Sequence, residues 1–72
     1  MTGKEIQGTA LENISKTVTV HYNNRKMSGR FSDYAVKLQL SAISNMWEFG
    51  DPEMYIILDG DRISKIEPGE NT

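Results

Sequence analysis

Hydrophobic and polar residues alternate along two neighbouring segments in the first half of the chain. The segments are residues 17–22 and 25–33, and Asn23-Asn24 separates them. Because β-branched and aromatic residues favour strands, and asparagine tolerates the left-handed conformation of a tight turn, this pattern predicts a β-hairpin. Gly29 lies within the second strand, where glycine indicates a bend or a close backbone approach.

Three further segments in the second half have the composition of strands. Residues 35–43 alternate between hydrophobic and polar side chains, and residues 54–58 form an apolar run after a Gly-Asp-Pro-Glu turn signal. Residues 62–67 alternate again, with Ile63 and Ile66 as core positions. Their spacing of three predicts a twist or a bulge near the end of the chain.

The segment that precedes the first strand has helical spacing, with Leu11 and Ile14 following a capping residue at Thr9. It predicts a short helix over residues 9–15. Together with five strands it indicates a mainly β fold, a strongly bent five-stranded antiparallel small barrel with a short N-terminal helix. The domain spans residues 9–67, between a flexible stretch at 1–8 and a polar tail at 68–72. The predicted core consists of Val18, Val20, Phe31, Leu38, Leu40, Ile56, Leu58, Ile63 and Ile66.

Composition limits what stabilises so short a chain. It has 72 residues, no cysteine and one histidine, His21. Disulfides and thiolate metal sites are therefore excluded, and one histidine does not make a metal site, so we expect no metal and no cofactor. Small domains that lack these supports often self-associate, which favours a homo-oligomer. The sequence has no bilayer-spanning run, and it predicts a cytoplasmic protein.

Charge is unevenly distributed along the chain. Residues 1–30 carry five basic and two acidic side chains, a net charge of +3, whereas residues 31–72 carry three basic and eight acidic ones, a net charge of −5. The overall charge of −2 disfavours nucleic acid as a partner, because phosphate contacts require basic residues. Opposite charge in the two halves is suited to head-to-tail contacts between copies.

Candidate catalytic chemistry is sparse. His21 has no nucleophile or paired carboxylate at a useful spacing, and it is interpreted as a surface residue on the outward face of the first strand. The Asp59-Gly60-Asp61 segment has none of the later ligands of a calcium loop and is interpreted as a hairpin turn. The sequence therefore predicts a non-enzymatic binding module.

Two sets of residues are candidates for binding. Trp47, Phe49 and Tyr34 are the candidate anchors for a protein partner, although the first two aromatics are equally suited to closing one end of a small barrel. The second set is the candidate nucleic-acid surface, and a solvated hairpin face is its alternative interpretation. It consists of Arg25, Lys26, Arg30, Lys37 and Gln39.

Several of these segments resemble the Sm-like (LSm/Hfq-type) barrel family. A helix and a strand precede Met27-Ser28-Gly29-Arg30-Phe31, which is similar to the hydrophobic-x-Gly-x-hydrophobic entry of that family. Tyr34 lies at its aromatic position and Leu38-Gln39-Leu40 at its hydrophobic-Asn-hydrophobic position. Leu58-Asp59-Gly60-Asp61-Arg62-Ile63 resembles its second motif. The strand pattern is also compatible with small barrels of the YolD type, on weaker motifs.

The differences from the Sm-like pattern fall on the residues that grip RNA in that family. Gln39 stands in place of its asparagine, Asp59 in place of its arginine and Ala35 in place of its aspartate. A carboxylate repels phosphate, so the resemblance implies that the scaffold is kept and the uridine site is not. Weak binding of oligouridine is expected, and Asp59→Arg should strengthen it if the alignment holds.

Overall fold

The first element of the computed structural model, which describes residues 1–69, is a helix that starts earlier than predicted. Helix α1 spans Gly3–Glu12. Thr2 is its N-cap and forms a capping box with Glu5, whose backbone N–H donates to Thr2 Oγ1 at 3.2 Å. The predicted start at Thr9 is therefore wrong, and residues 3–8 of the stretch that was expected to be flexible lie in this helix. A Thr-x-x-Glu signature at residues 2–5 is the signal for the true start.

The predicted hairpin is present. Strand β1 spans Val18–Tyr22 and strand β2 spans Arg25–Phe31, with antiparallel pairing from Val18 opposite Gly29 to Tyr22 opposite Arg25. Asn23 and Asn24 both have positive φ, as the tight turn requires. A Cβ on Gly29 would lie 2.9 Å from the Cα of Gly50, so the close backbone approach predicted at this glycine is confirmed.

The strand predicted over residues 35–43 is wrong, because this segment is helical. Helix α2 spans Asp33–Leu38 and helix α3 spans Leu40–Ser44, joined by Gln39 in the left-handed conformation. Ser32 caps α2 by accepting a hydrogen bond from the Ala35 N–H. A serine cap and a left-handed joint therefore override the hydrophobic alternation of this segment.

The third strand instead lies between two of the predicted strands, over residues for which none was predicted. Strand β3 spans Met46–Asp51 and exposes and buries alternate residues, with Trp47 and Phe49 inward. Asn45, in the left-handed conformation, turns the chain from α3 into this strand. Its side-chain Oδ1 also accepts the Trp47 indole N–H at 2.9 Å, which fixes the ring at the strand's start.

The last two strands agree closely with prediction. Strand β4 spans Met54–Asp59, a 3-10 turn covers Gly60–Arg62, and strand β5 spans Ile63–Pro68. The register between β1 and β5 shifts between His21 and Tyr22, which confirms the predicted bulge. Of the predicted tail at 68–72, residues 70–72 lie outside the described residues.

The fold is mainly β, with five antiparallel strands in one sheet of order β4-β3-β2-β1-β5. Strand β2 pairs with β3 only at Arg30 and Phe31, so it joins a β1–β2–β5 half to a β3–β4 half. Within residues 1–69 the two outer strands, β4 and β5, do not pair. The sheet is thus not closed into the predicted barrel.

The core lies between the inner face of the sheet and the helices. Its buried residues are Ile6, Ala10, Val18, Val20, Phe31, Val36, Trp47, Phe49, Leu58 and Ile63. Five of the nine predicted core residues are among them, and Ile66 is half-buried against the cluster. Leu38, Leu40 and Ile56 are 48%, 61% and 45% exposed, so their prediction as core residues is wrong.

Candidate functional site

The three aromatic candidates do not lie on one surface. Trp47 and Phe49 are each 1% exposed, and Phe31 packs edge-on against both, with ring centroids 5.8 and 5.1 Å away. The two rings are therefore core side chains in the folded chain and do not form an exposed surface. Tyr34 on α2 is 75% exposed and is the candidate that a partner reaches.

The basic candidates are divided between two places. Arg30 and Lys37 lie near Asp33, whose pKa is lowered mainly by hydrogen bonding with Ser15 and further by these two positive charges. Arg25 and Lys26 begin β2, beside the hairpin turn. Gln39 joins the two helices and belongs to neither group.

A basic row that the sequence did not reveal crosses the outer face of three strands. Lys26 lies opposite His21, and His21 lies opposite Lys65. His21 Nε2 is hydrogen-bonded to Glu67 Oε1. This bond, and the charges of Lys65 and Lys26, lower the pKa of the Glu67 carboxyl. Lys65 was missed because its place beside His21 depends on the β1–β5 pairing.

The outer edge of strand β4, hereafter the β4 edge, is apolar on both faces. Met54, Ile56 and Ile57 are 76%, 45% and 57% exposed. Because side chains alternate along a strand, Ile56 lies on the inner face opposite Phe49, and Ile57 on the outer face opposite Glu48. The sequence predicts the strand correctly, but not that it is an outer one.

A second apolar surface lies between helices α1 and α3. This α1–α3 groove has a volume of about 470 Å³ and is lined by Lys4, Gln7, Gly8, Leu11, Gln39, Ala42 and Ile43. Gln7 is nearly buried in its wall and donates from Nε2 to the Val36 carbonyl at 2.7 Å. Among residues 1–69, Gln7 Oε1 has no hydrogen-bond partner. Ile43 on the rim is 86% exposed.

Other kinds of site were sought in the part of the chain that the structure describes. Residues 1–69 contain no group of three His, Cys, Asp or Glu side chains arranged to hold a metal ion. No helix in this range has the length and apolar character needed to cross a bilayer. Exposed apolar side chains lie on the β4 edge and around the α1–α3 groove.

Comparison with known proteins identifies no family for the chain. No protein-family model, no curated protein and no solved structure matches the chain.

Proposed function

We propose that this protein is a non-enzymatic binding module that acts through protein–protein contact or self-association at the β4 edge. The observation that carries the proposal is the two-faced apolar exposure of this strand. An outer strand presents unpaired N–H and C=O groups that accept a further strand, and apolar side chains on both faces would be buried by one.

The absence of protective residues on β4 supports this function. Soluble proteins guard outer strands with lysine, proline or bulges, which keep other chains from pairing. Met54–Asp59 carries neither lysine nor proline, while Ile63–Pro68, at the opposite edge of the sheet, carries both Lys65 and Pro68. Because one edge of the sheet is guarded and the opposite edge is not, pairing with another chain is favoured at β4 alone.

Charge supports another copy of the chain as the occupant. The β3–β4 half carries Glu48, Asp51, Glu53 and Asp59 and no basic residue, whereas the strands of the β1–β2–β5 half carry Arg25, Lys26, Arg30 and Lys65 against a single acid, Glu67. A contact between the β4 edge of one copy and the basic outer face of the β1–β2–β5 half of the next would bring these opposite charges together. Such a head-to-tail contact generates a ring or an open filament, according to the rotation between copies.

An Sm-like scaffold is part of the proposal. It is supported by an N-terminal helix followed by five antiparallel strands, by the tight approach at Gly29, and by the buried Gly60 between β4 and β5. Tyr34 and Gln39 weigh against it, because the resemblance puts them on a strand and they lie in the α2–α3 segment. Asp59 accepts the Asp61 N–H at 3.0 Å, which supports a turn role and loss of the uridine site.

Sedimentation velocity of the purified chain tests the proposed edge. The parent should sediment as an assembly larger than a monomer, and Ile57→Lys should remove that assembly because it charges the open edge. Leu38→Lys is the matched control, since it places the same charge on a half-exposed aliphatic side chain of α2, away from β4. Loss of assembly in the control but not in Ile57→Lys would contradict the β4 edge.

The basic row favours a second candidate function, an atypical nucleic-acid binder. Lys26, His21 and Lys65 are aligned across three strands. Affinity for a short single-stranded RNA should then fall steeply with salt, because phosphate contacts release counterions. Replacing Lys26 and Lys65 by glutamine should reduce that salt dependence, and binding that is absent at low salt would eliminate this candidate.

A further inference from the structure

Helix α1 carries an exposed line of three residues that the packing of the chain does not explain. Lys4, Gly8 and Glu12 are spaced four apart, so they lie one above another on the same helix face. All three are exposed. Among residues 1–69 the ion pairs are His21–Glu67 and Arg62–Asp59, so Lys4 and Glu12 have no intramolecular ionic partner there.

Gly8 is the residue of this line with the clearest implication. Glycine destabilises a helix interior relative to alanine, so its presence there calls for a packing reason. A Cβ on Gly8 would meet nothing within 4 Å, and the residue lies in the regular interior of α1. The described fold therefore leaves room for a side chain, and the bare backbone at Gly8 is suited to the close approach of a second helix.

The surface beside this line is apolar. Leu11 and Ile43 line the α1–α3 groove and are 45% and 86% exposed. Leu40, on the same short helix as Ile43, is 61% exposed. Contiguous exposed apolar side chains next to a smooth helix face are typical of a surface that another chain covers.

We propose that α1 packs against α1 of a second copy in an antiparallel pair that crosses at Gly8. Lys4 and Glu12 lie four residues on either side of Gly8, so an antiparallel crossing places Lys4 of each copy beside Glu12 of the other. One surface thus supplies both charges of both ion pairs, which is the self-complementarity that a two-fold interface requires. Because the surface is complementary in charge to itself, the chain that covers it is a second copy of this protein.

The same symmetry accounts for the groove. A two-fold axis through the crossing keeps both α3 helices on one side of the helix pair. Leu11 and Ile43 of the two copies then cover one another on that side, and the apolar groove is removed from water. This interface is separate from the β4 edge, so it stands or falls independently of the proposed function.

Charge reversal tests the pairing while it preserves the helix. Lys4→Glu puts a negative charge near the helix N-terminus and Glu12→Lys a positive one near its C-terminus, and both charges favour the helix dipole. Each single reversal turns two attractive contacts into repulsive ones, and we expect it to weaken dimerisation about tenfold. The double reversal restores both pairs and should return the dissociation constant to within about threefold of the parent.

The measurement is sedimentation equilibrium of the full chain at low salt, in the Ile57→Lys background so that the β4 edge does not contribute. A dimer at protein concentrations up to about 1 mM is expected, since weak specific contacts fall in this range. Gly8→Leu should abolish it without loss of helix, because leucine is the better helix former. A monomer in the Ile57→Lys background, or a double reversal no tighter than the single ones, would overturn the proposed pair.

Discussion

The two outer strands of the sheet differ in how far their side chains protect them from pairing with another chain. Strand β5 has a lysine and a terminal proline, and its Glu67 contacts His21 of the neighbouring strand β1. Strand β4 has Met54, Ile56 and Ile57 exposed and carries no such guard. The contrast shows that protection of an outer strand is possible in this chain, and an unprotected β4 edge is what the proposed contact at β4 requires.

The two halves of the sheet also differ on their inner faces. The β3–β4 half buries two rings, Trp47 and Phe49, together with Leu58, whereas the β1–β2–β5 half buries one ring, Phe31, together with Val18, Val20 and Ile63. Large rings account for much of the apolar area that a small domain buries. The half with the exposed edge therefore contributes two of the three aromatic rings of the described core.

The largest expected effect tests this division of the core. Trp47→Ala should destabilise the protein by about 3–5 kcal/mol, because it leaves a cavity between Phe31 and the helices. The control is Leu38→Ala, which should cost less than about 1 kcal/mol because this leucine is half exposed. Urea denaturation followed by circular dichroism measures both values. Equal losses in the two variants would contradict the assignment of the core to β3.

Sequence reasoning identified the parts of the fold in which local and tertiary preferences agree. The hairpin of β1 and β2 follows from strand-favouring residues on either side of Asn23-Asn24, and the bulge follows from the spacing of Ile63 and Ile66. The glycine at position 29 predicts a close backbone approach within the strand, and the backbone of Gly50 lies close to it. Each of these features leaves a local signal in the sequence: turn residues between two strands, the spacing of two isoleucines, and a glycine within a strand.

The segment over residues 33–51 shows why the rest was not predictable. Alternation at Val36, Leu38 and Leu40 is the pattern of a strand, yet the Ser32 cap and the left-handed Gln39 make two short helices there. The third strand lies at Met46–Asp51 instead, and its Trp47 and Phe49 side chains are buried in the core. Which apolar residues are buried depends on long-range packing, and so does the identity of the exposed edge.

A smaller effect concerns the contact that links the two halves of the sheet. The Asp59 backbone N–H at the end of β4 donates to Tyr22 Oη on β1 at 3.2 Å, although β4 and β5 do not pair. Tyr22→Phe removes the acceptor and should cost about 0.5–1.5 kcal/mol in unfolding free energy. Tyr34→Phe is the control, because that side chain is 75% exposed, and it should be neutral. A neutral Tyr22→Phe would show that the halves are held together by packing alone.

The smallest effect concerns the charged face of the β1–β5 half. The hydrogen bond with His21 lowers the pKa of Glu67 from its usual 4.5, and nearby lysine charges add to the effect. Since the folded chain then holds this proton less readily than the unfolded one, Glu67 contributes stability above its unfolded pKa. That contribution is lost as pH falls through the folded pKa. Glu67→Gln should therefore lose less thermal stability than the parent between about pH 6 and pH 3, the range in which carboxyls titrate.

An NMR titration of the Glu67 carboxyl carbon locates the cause of the lowered pKa, because His21→Gln should raise the midpoint of the titration and Asp33→Asn should leave it unchanged. A midpoint that does not move in His21→Gln would assign the lowered pKa to the lysines of the basic row instead.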